Sequence, residues 1–138
     1  MRMLQRAAIT AAAALLGGLA VPGAARAADY PTTPFFAHGS GGETSGGFVW
    51  YNQDVRVQGS VTDFAGGWGS TVAIFEFLQG PRGGPLVPLG SETRSVSGDK
   101  RSFNWVQPAP AGGITEIWVT VCNRETSSCG DTAMVRRP

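Results

Sequence analysis

Histidine is nearly missing from this sequence: His38 is the only one in 138 residues. A serine hydrolase would therefore have one candidate base, and a metal site one candidate histidine ligand. Cysteine is scarce too, with Cys122 and Cys129 alone. A structural zinc site needs three or four ligands, so a metal centre is not expected. Positive charge is sparse and scattered, with one lysine, Lys100, and no basic stripe. Nucleic acid is therefore not an expected partner. No stretch shows the three-to-four-residue apolar spacing of an amphipathic helix. No Gly-x-Ser-x-Gly motif is present, and the glycine run at Gly39-Ser40-Gly41-Gly42 lacks the Lys-Ser/Thr of a phosphate loop. No internal repeat is visible. No cofactor is expected.

What is present begins with an export pattern. Arg2 and Arg6 precede an apolar run from Ala7 to Ala20. Pro22 and Gly23 interrupt it, and Ala25-Arg26-Ala27 supplies the small-x-small cleavage pattern. Together these define a secretory signal over residues 1–27. The run is shorter than the roughly 20 residues of a membrane span, so no membrane attachment is expected after cleavage. Arg2, Arg6 and Arg26 fall within the signal. Eight of the eleven basic residues then remain against ten acidic ones, a net charge of about −2. The remaining 111 or so residues suit one domain, secreted and extracellular. Export places Cys122 and Cys129 in oxidising surroundings. Six residues lie between them, and the pair reads as a disulfide across the base of a loop.

The rest of the chain divides in two. Residues 28–47 hold prolines and glycine clusters and read as a flexible lead-in, loose or laid across the domain as an arm. Residues 48–138 read as a β-sandwich domain. Phe48-Val49-Trp50-Tyr51 has strand propensity, and Val55, Val57, Gly59 and Val61 alternate with polar residues. Thr71 to Leu78 is apolar on both faces, which marks a central strand. Shorter strands are expected at Thr93–Val96, Ser102–Val106, Glu116–Cys122 and Thr132–Arg136, with a hairpin turn at Ser97-Gly98-Asp99. About seven short strands set off by Gly and Pro predict an all-β, antiparallel, immunoglobulin-like sandwich; a small barrel is the alternative.

Few side chains carry chemistry. His38 lies in the glycine-rich lead-in and reads as a solvated loop residue. Glu76 sits mid-strand among Ile74, Phe75, Phe77 and Leu78. It is read either as partly buried or as an exposed carboxylate, free or paired with Arg56 or Arg94. Aromatic residues are the better lead. Trp105 shares a face with Phe103 and reads as core. Trp118 faces away from Ile117, Val119 and Val121, and Trp68 sits between glycines in a loop. If exposed, such tryptophans stack on sugar rings or anchor a protein partner, which makes Trp68 and Trp118 the candidate ligand contacts; in the alternative reading Trp118 meets the lead-in arm and Trp68 folds down as a lid on the core.

The Ala-rich start, Phe48-Val49-Trp50-Tyr51, Val55-Arg56-Val57-Gln58-Gly59-Ser60-Val61, Arg101-Ser102-Phe103 and the run from Gly112-Gly113-Ile114 to Cys122 form a pattern. It resembles small, uncharacterised secreted proteins of actinobacterial type. A more distant likeness is to neocarzinostatin-type apoproteins, immunoglobulin-like domains with a close Cys pair late in the chain and a second disulfide that this sequence lacks. These resemblances imply a fold and no activity. The expected function is a secreted, non-enzymatic binding or interaction module for an extracellular glycan or protein. The alternatives are a protease inhibitor presenting Gly80–Pro85 or Asn123–Ser128, and a small hydrolase that depends on Glu76.

Overall fold

Period-two alternation becomes eight strands in the computed structural model, which describes residues 29–64 and 69–138. They are β1 (Thr32–Gly39), β2 (Gly42–Trp50), β3 (Val55–Asp63), β4 (Thr71–Gln79), β5 (Val87–Val96), β6 (Lys100–Gln107), β7 (Glu116–Asn123) and β8 (Ala133–Arg136). The described residues contain no helix. Two four-stranded antiparallel sheets result, ordered β1-β2-β3-β6 and β5-β4-β7-β8. The fold is thus the expected all-β antiparallel sandwich. The export signal at 1–27 lies outside the described residues.

The core forms where inward residues of both sheets meet. Val55, Val57 and Val61 of β3 face Ala73, Phe75 and Phe77 of β4, with Ile117, Val119 and Val121 from β7, all of them buried. Phe75 is the hub. Its ring lies 5.6 Å from Phe35, 5.5 Å from Phe103 and 5.4 Å from Trp105, each edge-on. Edge-to-face pairs add to the area term of burial. Phe103 belongs to this cluster, and Trp105, partly buried on the same face, packs against it. β4 is central in its sheet, also as predicted.

The segment 28–47 departs from its reading as a flexible lead-in. It builds β1 and residues 42–47 of β2, so the sandwich has an eighth strand. Ser40-Gly41 is the two-residue turn of a hairpin in which Gly39 opposes Gly42. Phe35 and Ala37 point inward and are buried. Pro34 is tolerated because β1 is an edge strand. The glycines that suggest looseness serve close approach instead. Gly46 opposes Gly59 in the β2–β3 ladder, and a Cβ on Gly46 would lie 2.0 Å from the Gln58 carbonyl oxygen.

The Ser97-Gly98-Asp99 turn also differs from expectation. It joins β5 to β6, which lie in different sheets, so it is a sheet-switching corner and not a hairpin. The buried Asp63 carboxylate fixes it by accepting hydrogen bonds from Gly98 N (2.6 Å) and Thr71 Oγ1 (2.6 Å). At the opposite end, the Arg137 guanidinium donates to the carbonyls of Ile114, Tyr51 and Gln53. It also lies 4.9 Å from the centre of the Trp50 ring. The last strand is thereby tied to the loop that follows β2.

Candidate functional site

Antiparallel register aligns residues of neighbouring strands in rows across the outer face of β5-β4-β7-β8. Glu76 of β4 stands opposite Ser91 of β5 and Trp118 of β7, and Trp118 stands opposite Met134 of β8. The next row carries Pro88, Leu78, Glu116 and Arg136. In the other direction lie Ile74 and Thr120, then Val72 and Cys122.

A shallow depression of about 390 Å³ opens beside Trp118, walled by Glu76, Leu78, Pro88, Gly90 and Ser91. A β-bulge shapes it. Phe77 pairs with Gly90 and Leu78 pairs with Pro88, so Leu89 is the extra residue. Leu89 packs against the core. Gly90 takes φ +146, a conformation that side chains disfavour. The bulge bends the edge strand and re-aims its side chains, a feature common beside functional sites.

Trp118 is held in one orientation. Its indole Nε1 donates to Glu116 Oε1 at 2.7 Å. Glu116 is buried and pairs through Oε2 with Arg136 at 3.1 Å. The carboxylate is thus satisfied on both oxygens, as a buried charge requires. The indole remains partly exposed on the outer face, away from Ile117, Val119 and Val121.

Glu76 is exposed, which decides between its two settings. Neither suggested arginine reaches it: Arg56 donates to the Tyr51 hydroxyl, and Arg94 pairs with Glu92 and lies over the Trp105 ring at 3.9 Å. Among the described residues Glu76 has no hydrogen-bond or ion-pair partner. His38 is exposed on β1, in the other sheet, near Phe36. No group of three His, Cys, Asp or Glu suited to a metal ion occurs among the described residues.

Cys122 and Cys129 are joined, with an S–S distance of 2.03 Å. The disulfide lines a second depression of about 270 Å³ on the same outer face, with Val72, Ile74, Arg124 and Ser127. The loop that it closes folds back on itself, with Asn123 N donating to Ser128 O at 2.8 Å. It also grips the start of β4. Glu125 accepts from Ser70 N (2.7 Å) and Ser70 Oγ (3.1 Å), and Arg124 N donates to Ser70 O (2.9 Å). The Ser70 amide is the main reason that the Glu125 carboxyl sits below its ordinary value. Gly80–Pro85 is a turn closed by Gly84 N to Pro81 O at 3.1 Å, with Arg82 exposed.

Of the two candidate contacts, Trp118 stands on this face and Trp68 lies outside the described residues. Sequence reasoning missed Ser91, Pro88 and Gly90 as walls. Their role depends on the bulge, and only Gly90 could have signalled it. In comparisons with protein-family models, curated proteins and solved structures, the chain matches none.

Proposed function

We propose that this chain is an exported, non-enzymatic binding module that seats an extracellular glycan on the outer face of β5-β4-β7-β8. The observation that carries this reading is the fixed indole of Trp118 beside a bulge-walled depression. A locked, partly exposed tryptophan is a stacking platform that loses little side-chain entropy on binding. Depressions of about 300–1,000 Å³ are the usual size for small-ligand sites. Export is supported by the sequence pattern at 1–27 and agrees with the disulfide.

The scaffold itself reads as immunoglobulin-like. β2-β3-β6 facing β5-β4-β7-β8 follows the strand order of such sandwiches, with β1 added at an edge. A binding role is favoured over hydrolysis because Glu116 is already engaged by Arg136 and Trp118. That leaves Glu76 without a second free carboxylate in its row or the next, and glycoside hydrolysis needs two.

The test is co-sedimentation of the mature protein with insoluble peptidoglycan, chitin, chitosan and cellulose. Retention on at least one, lost in Trp118→Ala with the fold intact by circular dichroism, is the expected result. Retention on none, or retention unchanged in Trp118→Ala, would overturn the glycan reading of this face.

A further inference from the structure

The side chains around the Trp118 depression are unbalanced in hydrogen-bonding capacity. The indole N–H is spent on Glu116. The Arg136 guanidinium, the one cation of these rows, is turned to the same carboxylate. Met134 and Pro88 offer no donor, and Leu78 is apolar. What is left is the Glu76 carboxylate, an acceptor only, and the hydroxyl of exposed Ser91. Glu116 and Arg136 neutralise each other, so Glu76 leaves the depression with one uncompensated negative charge.

A ligand that suits this site brings donors and a positive charge next to a face that can stack. We infer that the depression takes a sugar carrying a free amine, so that the module selects glucosamine polymers over their N-acetylated and hydroxyl counterparts. This deepens the glycan reading above and rests on it. The ammonium group meets Glu76, while the pyranose ring lies on Trp118, its neighbour across the β4–β7 ladder. A cation beside an indole face gains a further attraction. An acetamido group in the same place would lose the charge and set a carbonyl acceptor toward a carboxylate. The second depression, at Val72 and the disulfide, lies on the same face, roughly 13 Å along β4 from Glu76 at the strand repeat. Arg124 lines that second depression and repels an ammonium group, so the amine preference is set at Glu76 alone.

Three soluble tetramers share a backbone and differ at one substituent: the tetramers of glucosamine and N-acetylglucosamine, and cellotetraose. Titration by tryptophan fluorescence and calorimetry measures each Kd. The glucosamine tetramer is expected to bind about five to ten times more tightly than the other two, with the preference shrinking in high salt. Glu76→Gln removes that preference, and Glu43→Gln, on the opposite sheet, keeps it. Equal binding of all three, or a preference that survives Glu76→Gln, overturns the amine inference and leaves the Trp118 platform standing. Binding of none, together with no retention on the insoluble polymers, overturns both.

Discussion

Removing the Cys122–Cys129 bridge should lower the melting temperature by about 10 °C. The link closes an eight-residue loop, counted from one cysteine to the other. In the chain-entropy model such a loop restricts the unfolded chain by about 2.5 kcal/mol. For a domain of this size each kcal/mol is worth roughly 4 °C. The native contacts of the loop do not depend on the bond, because Glu125 and Arg124 grip Ser70 through their own hydrogen bonds. The double variant Cys122→Ala, Cys129→Ala isolates the effect and buries no new hydroxyl at Cys122, which is 7% exposed. Calorimetry of the oxidised protein and the variant reads the shift. A drop under about 3 °C would refute the loop-entropy account and assign the stability of this end to the Ser70 clamp. Binding at Trp118 should survive the change, since the disulfide lines the other depression.

Two further outcomes follow from the geometry. Gly46→Ala should cost about 2–3 kcal/mol in urea denaturation, because its Cβ would meet the Gln58 carbonyl, which is backbone and cannot rotate away; a cost below about 0.5 kcal/mol would show that the β2–β3 ladder relaxes freely. The Glu125 carboxyl is held below 4.5 by the Ser70 amide, so the unfolded chain binds its proton more readily. Its contribution is complete above the unfolded pKa and is lost as pH falls through the lower folded value. Melting temperatures measured from pH 6 to pH 3 should therefore fall less steeply in Glu125→Gln than in the parent protein, and parallel curves would contradict the clamp.

Alternation of side chains is legible in this sequence where it runs long, and glycine is ambiguous between looseness and close approach. Val55, Val57 and Val61 announced a half-buried strand, and β3 is one. Ile117, Val119 and Val121 did the same for β7, and their alternation correctly set Trp118 on the other face. The stretch 28–47 misled because composition outweighed pattern: Phe35 and Ala37 alternate as a strand should, but only over a short run. Gly46 and Gly59 carry information only as a pair across the ladder, and pairing is a tertiary fact. The site shows the same division. Trp118 was readable from local alternation. The depression beside it was not, since it comes from one unpaired residue, Leu89, in a strand that the sequence marks only at its far end, Thr93–Val96.

The two-sided apolar character of β4 bears directly on the proposed binding face. A central strand that is apolar on both faces normally lies between two covering layers. Here the inner face of β4 is covered by the β1-β2-β3-β6 sheet. Over its outer face no further layer of the described chain lies, and Val72 and Ile74 stay partly exposed there. Both depressions fall on this face, one at each end of the row Val72, Ile74, Glu76, Leu78. The hydrophobic pattern that builds the core from one side of β4 therefore also shapes, on the other, the surface proposed for binding. The single charge that interrupts it, Glu76, is the position where selectivity for the ligand would be set.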